Sequence, residues 1–517
     1  MLMARSMFDI NDFDDPDVWD LICEGRTKGV FQLESQLGRS WAKRVKPRNI
    51  SELAALLSLI RPGCLKAISE GKSMTQHYVD RKANKDPVTY PDNSLEEILS
   101  ETYGVLVYQE QSMRIAQKLA GFDLKDADQL RKAIGKKKAD LMEKVKKSFL
   151  RGAEKQGFIT KEVAEEIFGW IEKSNRYAFN KSHAVSYAIN AYWSAYCKHY
   201  KPIDFYVSYL NHSDRKPDSQ KELKELIVDA KSIDLETYPP RLQHLCTNFT
   251  ANENTIFYGL RHIKNVGQKE CEKISDITED ISGYSWLDVL INVIQKCRIN
   301  KRAVISLISV GAFNGKNNTI SRQRMLYEFD SWKKLTATET KYICENYQNY
   351  KTLADCVEGY INSNKVNKRR LPTVIDIMNT LENPMYSLDD DVQTIAADEQ
   401  KYMGCALTCS QVDGFHTNFA ISMCKDVARG TIRNKTHLAV QLNAVRPYKT
   451  KRGKNPGQTM AFIIAEDSSG VLDGITIFPE QYEQFKDLLI EENTVILSGE
   501  VSKKENTSII VNKVTQI

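Results

Sequence analysis

ETYGVLVYQEQSMRIAQKLAGFDLKDADQLRKAIGKKK, residues 101–138, lies in a dense stretch of helical apolar spacing that runs from about 95 to 212. Its end carries the chemistry. In RKAIGKKKAD, residues 131–140, five of the ten residues are cationic, and Ile134 and Gly135 interrupt the run. Asp128, Leu130, Ile134 and Leu141 fit helical elements loosely, and Gly135 marks a break. A positive cluster at the start of a helical segment holds phosphates through Coulomb attraction and free backbone N–H groups. Arg131 adds a bidentate grip, whereas Lys132, Lys136, Lys137 and Lys138 act as point charges. Charge alone does not separate such a surface from a solvated lysine-rich helix face. KVKKSFLRGAEK (144–155) extends the positive bias, which adds electrostatics but no specificity.

A second constellation follows in NRYAFNKSHAVSYAINAYWSAYCKHYKP, residues 175–202. Asn180, Lys181, Ser182 and His183 are consecutive polar donors, and Tyr187, Tyr192, Trp193 and Tyr196 come after them at near-helical spacing. Donors ahead of a helix with aromatics behind suit phosphate binding beside base stacking. An N-cap at Asn180 or Ser182 before an aromatic core helix fits the same residues.

Outward from these stretches, 517 residues allow roughly three or four domains. Charged residues at 27% and hydrophobic ones at 42% read as an ordinary globular chain. A net charge of +5 is mild, so any nucleic-acid surface must come from local clustering. Eleven cysteines show no CxxC pair, with Cys405 and Cys409 the closest, and read as buried thiols of a reducing cytosol. MLMARSMFDINDFDD turns acidic too early for a signal peptide, and no apolar run approaches 18 residues. SELAALLSLIRP (51–62) reads as a helix capped by Ser51 and ended by Pro62-Gly63. SDRKPDSQ (213–220) reads as a linker, 256–275 and 299–327 as short helical units, and KVNKRRLP (365–372) as a basic loop before a helix. Beyond about 430 the pattern alternates, giving five strand candidates.

GVFQLES (29–35), LIRPG (59–63), residues 101–138 and FNKSHAVSYA (179–188), in this order and spacing, resemble the bacterial replicative DNA polymerase III α subunit, the C family. The resemblance covers nearly the whole chain and a C-terminal portion of the family's architecture. It implies a multidomain, mainly α fold of helical fingers and helix-hairpin-helix, with a C-terminal all-β OB-fold barrel. The implied boundaries are fingers 1–215, helix-hairpin-helix region 216–330, connector 331–425 and OB-fold 426–517. It makes Arg61, Arg131, Lys132, Lys136, Lys137, Lys138, Lys181 and His183 candidates for contact with the incoming dNTP or the primer–template. Two departures stand out: Lys132 where the family usually has a second arginine, and Cys64 where it usually has proline.

YGLRHIKNVGQKECEKI (258–274) resembles a helix-hairpin-helix, whose hairpin N–H groups meet DNA phosphates without reading sequence. Asn265 replaces the usual first glycine and tolerates the left-handed region; Gly267 keeps the second, flanked by Lys264 and Lys269. NKRAVISLISVGAFN (300–314) matches the family's next helical unit, expected mainly to pack. In the OB-like domain, RPYKTKRGK (446–454) offers Arg446, Tyr448, Lys449, Lys451, Arg452 and Lys454 to a single strand, or is a soluble hairpin tip.

Family members also carry a palm whose aspartates hold two Mg²⁺ ions. No PDxDxDF-like motif occurs here, and the acidic FDINDFDDPDVWD (8–20) reads instead as a structural loop and cap around Asp14-Asp15-Pro16. The chain is therefore expected to be the dNTP- and DNA-binding half of a split or truncated polymerase. Mg²⁺ is expected only with a partner polypeptide carrying the palm, thumb and amidohydrolase-like domains. The alternative is a non-catalytic DNA-binding remnant. The resemblance leaves a sliding clamp as a possible partner, although no clear QxxLF-type peptide is found between 330 and 430, and the loader-binding domain of some relatives is expected to be missing. The implied setting is a bacterial cytoplasm, of a cell or a phage-infected host, with no membrane contact.

Overall fold

The computed structural model describes residues 10–136, 139–174, 178–278, 280–413, 420–450, 456–502 and 507–517, without the side chains of 134–136, 139 and 140. The chain divides into two compact units, Met1–Phe205 and Tyr206–Ile517.

The first unit is helical and holds two sub-cores. In the first, helix Lys181–Tyr200 lies on helix Ile50–Leu59. Ala184, Ala188, Ala191 and Ala195 recur at helical spacing and are fully buried, as are Ala54 and Ala55, so small side chains let the two backbones approach closely. Trp19 and Tyr192 wedge against them with ring centroids 4.9 Å apart. Asp15 caps helix Pro16–Cys23 by accepting from the N–H groups of Asp17 and Val18, the role read from the acidic stretch. Ser51, expected as a cap, is not one. Asn49 stands at the extended Ncap position, and its side chain accepts from Glu52 N at 2.9 Å, leaving Ser51 inside the first turn. Nor does Pro62 end that helix: it opens another, Pro62–Lys66, at a position where its missing N–H costs nothing.

The second sub-core gathers helices Gln109–Ala120, Leu124–Lys136, Ala139–Gln156 and Lys161–Ser174 around Phe149. Residues 107–109 leave this region to pair with 179. Phe179 N donates to Val107 O at 3.0 Å and Gln109 N to Phe179 O at 2.9 Å. Gln111 secures the turn, its side-chain oxygen accepting from Val107 N and Tyr108 N.

In the second unit, Thr255–Phe257 is a strand, not part of a helical run. It pairs parallel with Glu236–Tyr238 and antiparallel with Thr250–Asn252. Thr-Ile-Phe favours extended backbone, and Glu253 at φ 50° turns the chain back to meet it. The C-terminal barrel closes through five strands: Lys435–Lys449, Thr459–Asp467, Gly470–Ile477, Thr494–Val501 and Ile509–Gln516. The first pairs with the second and fourth, the second with the third, and the fifth with the fourth. The third and fifth pair in parallel to complete the ring, which is the OB-fold topology. A register shift between Leu442 and Ala444 bends the long first strand so that it serves two partners. Ala461, Ile463 and Ala465 alternate into the interior, each fully buried. All eleven cysteines are free; Cys197 is exposed and four others are only partly covered, so burial is not general among them. Among the described residues no helix is long and apolar enough to cross a membrane.

Candidate nucleotide and nucleic-acid interface

The pairing of 107–109 with 179 gathers four separate stretches of sequence into one cluster in the first unit. Arg61 stands over the Phe179 ring at 4.4 Å from its centroid. Phe179 meets His183 at 5.4 Å, His183 meets Tyr187 at 4.1 Å, and Tyr187 meets Phe31 at 5.1 Å. Arg61, His183 and Phe31 are exposed. The result is a continuous cation–aromatic row, able to offer a guanidinium to phosphate and ring faces to a base. Phe31 was not singled out in the sequence; its lone aromatic within GVFQLES was the available signal.

The polar run at 180–183 divides its labour. Asn180, not Ser182, is the N-cap: its side-chain oxygen accepts from His183 N and from the Ser182 hydroxyl, each at 2.9 Å. Lys181 is engaged by carboxylates. Its Nζ sits 2.8 and 2.7 Å from the two Glu101 oxygens, and its backbone N–H donates to Glu110 Oε2 at 2.9 Å. Asn180 Nδ2 donates to the other Glu110 oxygen at 2.7 Å.

The basic run lies elsewhere. Arg131 and Lys132 occupy the last turns of helix Leu124–Lys136, on the second sub-core, where Leu130 and Ala133 are buried. A helix C-terminus exposes carbonyls, so the free N–H argument fails for these two residues, though the macrodipole favours their charge. Both are held by Asp128. Arg131 Nε and Nη2 donate to its Oδ1 at 2.9 and 2.7 Å, and Lys132 pairs with Oδ2 at 2.7 Å. Lys132 first, then Arg131, keep the Asp128 carboxyl below the usual carboxylate range. No hydrogen bond, ion pair or ring contact joins this pair to the Arg61–His183 row among the described residues. Lys137, Lys138 and the side chain of Lys136 lie outside them.

In the second unit the hairpin forms as expected at Asn265, which adopts φ 70°. Gly267 does not need a glycine backbone: at φ −89°, ψ 173° it caps helix Gln268–Ser275. A Cβ there would meet only a Glu270 carboxylate oxygen at 3.5 Å, so the space in front is open. Lys264 and Lys269 are exposed. The Lys264 N–H is already donated to Tyr402 O at 2.8 Å, so it is not among the groups offered to phosphate. The preceding helix is one 3-10 turn, Leu260–His262. Its last residue, His262, accepts from Arg261 Nε at 3.2 Å, and burial first, then Arg261, lowers its pKa to about 4.

On the barrel, the tip of the first two strands projects. Arg446 faces Phe462 and Tyr448 faces Met460 across the ladder. Tyr448 and Phe462 are 44% and 46% exposed with centroids 6.2 Å apart, forming a stacking platform beside exposed Lys449. Phe462 was missed in the sequence, although an outward aromatic in the alternation TMAFIIAED marks it. Lys451, Arg452 and Lys454 lie outside the described residues. The far end of the second strand is anchored by Lys224, 2.8 Å from Glu466. Among the described residues no group of three or more His, Cys, Asp or Glu could hold a metal ion.

A helical unit followed by a helix-hairpin-helix region and a closed five-stranded OB-type barrel is the class of architecture the chain presents. Residues 5–157 match the family described as bacterial DNA polymerase III alpha subunit finger domain, and 234–325 match the helix-hairpin-helix motif family. The chain is similar to the DNA polymerase III subunit alpha of Aquifex aeolicus, 32% identical over 99% of this chain and 40% of the relative. That of Treponema pallidum is 30% identical over 99% and 41%, and that of Thermus aquaticus 36% over 58% and 24%. Over nearly its whole length the chain matches a C-terminal portion of bacterial DNA polymerase III α subunits, and it spans about two fifths of the length of the first two relatives.

Proposed function

We propose that this chain supplies the dNTP- and primer–template-binding surfaces of a C-family polymerase, in a bacterial or phage-infected cytoplasm. The Mg²⁺-holding carboxylates lie outside these residues, on a palm-bearing polypeptide. The observation that carries the reading is the convergence of Arg61, Phe179, His183, Tyr187 and Phe31, drawn from three family motifs, on one partly exposed row. The described donor set does not fit a metal pair, so the residues named here bind and orient, and no step of the transfer itself is assigned to them.

A second reading, a non-catalytic DNA-binding protein, draws support from the internal ion pairs that occupy Lys181, Arg131 and Lys132. Primer extension separates the two. Extension only when a palm-bearing DNA polymerase III α segment is added, and its loss on Arg61→Ala, supports the first. DNA binding without any dNTP binding or extension, with or without that segment, supports the second.

A further inference from the structure

The helix Val392–Met403 belongs to the region read as a connector, yet it carries Glu399, fully buried. Four groups meet that carboxylate. Arg322 Nη2 lies at 2.9 Å, the N–H groups of Leu407 and Thr408 at 2.7 and 2.8 Å, and the Thr408 hydroxyl at 2.5 Å. The Arg322 side chain is 5% exposed. A buried pair of this kind offers little net stability over an apolar packing of the same volume. What it fixes is geometry.

From each partner an arm leads to the hairpin. One turn on from Glu399, the carbonyls of Tyr402 and Met403 accept from Lys264 N and the Tyr258 hydroxyl, both at 2.8 Å. On the other side, Arg322 Nη1 donates to Ser309 O at 2.9 Å, at the end of helix Lys301–Ser309. From that same helix, buried Ser306 contacts Asn265 Nδ2 at 3.0 Å. The ring closes at adjacent hairpin residues, Lys264 and Asn265, the latter in the left-handed region. Gly311, at φ 74°, makes room: a Cβ there would stand 2.6 Å from Arg241 and 2.8 Å from Arg322.

We infer that Arg322 and Glu399 are positioning residues that brace the hairpin between two helices, so that Lys269, Gly267 and the helix start meet a DNA phosphate without an ordering cost on binding. The inference rests on the hairpin touching DNA. Through this brace the connector helix transmits the position of a buried charge to an exposed turn.

The test uses the full chain with a duplex and a single-stranded oligonucleotide, across a salt series. Tyr258→Phe combined with Ser306→Ala removes one tie from each arm and leaves the ion pair intact. It is expected to weaken duplex binding about fivefold, while single-strand binding by the barrel stays unchanged. Glu399→Gln is expected to act in the same direction and further. A merely structural loss lowers both ligands alike, so equal losses for duplex and single strand overturn the brace. Lys264→Ala with Lys269→Ala serves as the reference. If it weakens duplex binding and the folded Tyr258→Phe/Ser306→Ala chain does not, the brace alone falls. If the lysine variant also binds as the parent does, the hairpin's DNA contact falls and the brace with it.

Discussion

Lys181 illustrates how a single carboxylate sets the availability of a binding group. Its ammonium is about one-third exposed and Glu101 a similar fraction, so the pair has the modest strength of a partly solvated ion pair, about 0.2–1 kcal/mol. A triphosphate brings more charge to the same ammonium and competes with Glu101 for it. Glu101→Gln is therefore expected to tighten dNTP binding about two- to fivefold in an equilibrium titration, and Lys181→Ala to weaken it. Unchanged affinity in both variants would place the phosphates away from Lys181. His262 gives a pH dependence with a definite sign. Burial, then Arg261, lowers its pKa to about 4 from 6.5, with Asp214 opposing. Between those values the unfolded chain binds a proton that the folded chain refuses, so stability falls as pH drops from about 6.5 toward 4 and levels off below. The full shift corresponds to about 3 kcal/mol across the window, an upper figure because the ring is not fully buried. Urea unfolding of the parent and His262→Gln at pH 7.5 and 5 checks this: the variant should lose part of the acid sensitivity, and equal sensitivity would assign it to other groups.

At the scale of elements, two helical glycines in the first unit separate propensity from packing. Gly152, inside Ala139–Gln156, lies where a Cβ would come within 2.1 Å of the Ala120 carbonyl oxygen, a backbone atom that cannot swing away. Gly169, inside Lys161–Ser174, has nothing within 4 Å of its virtual Cβ. Alanine gains about 1 kcal/mol of helix propensity at either site. At Gly152 the overpacking cost, about 1–3 kcal/mol, outweighs it by forcing two helices apart. Gly169→Ala should therefore raise the thermal midpoint and Gly152→Ala lower it; a shift of the same sign in both would show that the helix pair yields easily. Sequence pattern could not supply this contrast, because both glycines sit in equally helical surroundings. The displaced cap has a similar origin. Ser51 and Asn49 both have capping side chains, and the choice fell to Asn49 because packing of Leu53 and Leu56 fixes where the helix begins.

Across the whole molecule, what was legible followed local periodicity. The five barrel strands repeat with period two, and each stands within a few residues of its expected place. The cations of the fingers and hairpin were legible as types, but their partners were not. Asp128 beneath Arg131, Glu101 against Lys181, and Phe462 beside Tyr448 depend on which turn or register brings them together. The same distinction separates the two kinds of DNA contact proposed for the second unit. In the proposed reading Lys264 and Lys269 at the hairpin act by charge, and each neutralised phosphate releases condensed counterions. Replacing both by alanine should flatten the slope of log K against log salt for duplex by roughly 2, and weaken binding most at low salt. In the same reading Tyr448 and Phe462 act by stacking, which salt screens little. Alanine at either should cost single-strand binding about 1–3 kcal/mol at every salt concentration, leaving the slope as it was. A Phe462→Ala chain whose single-strand slope flattened instead would mean that the aromatic pair merely shapes the basic tip. The platform would then be a support for Arg446 and Lys449, and the barrel, like the hairpin, would hold DNA by charge.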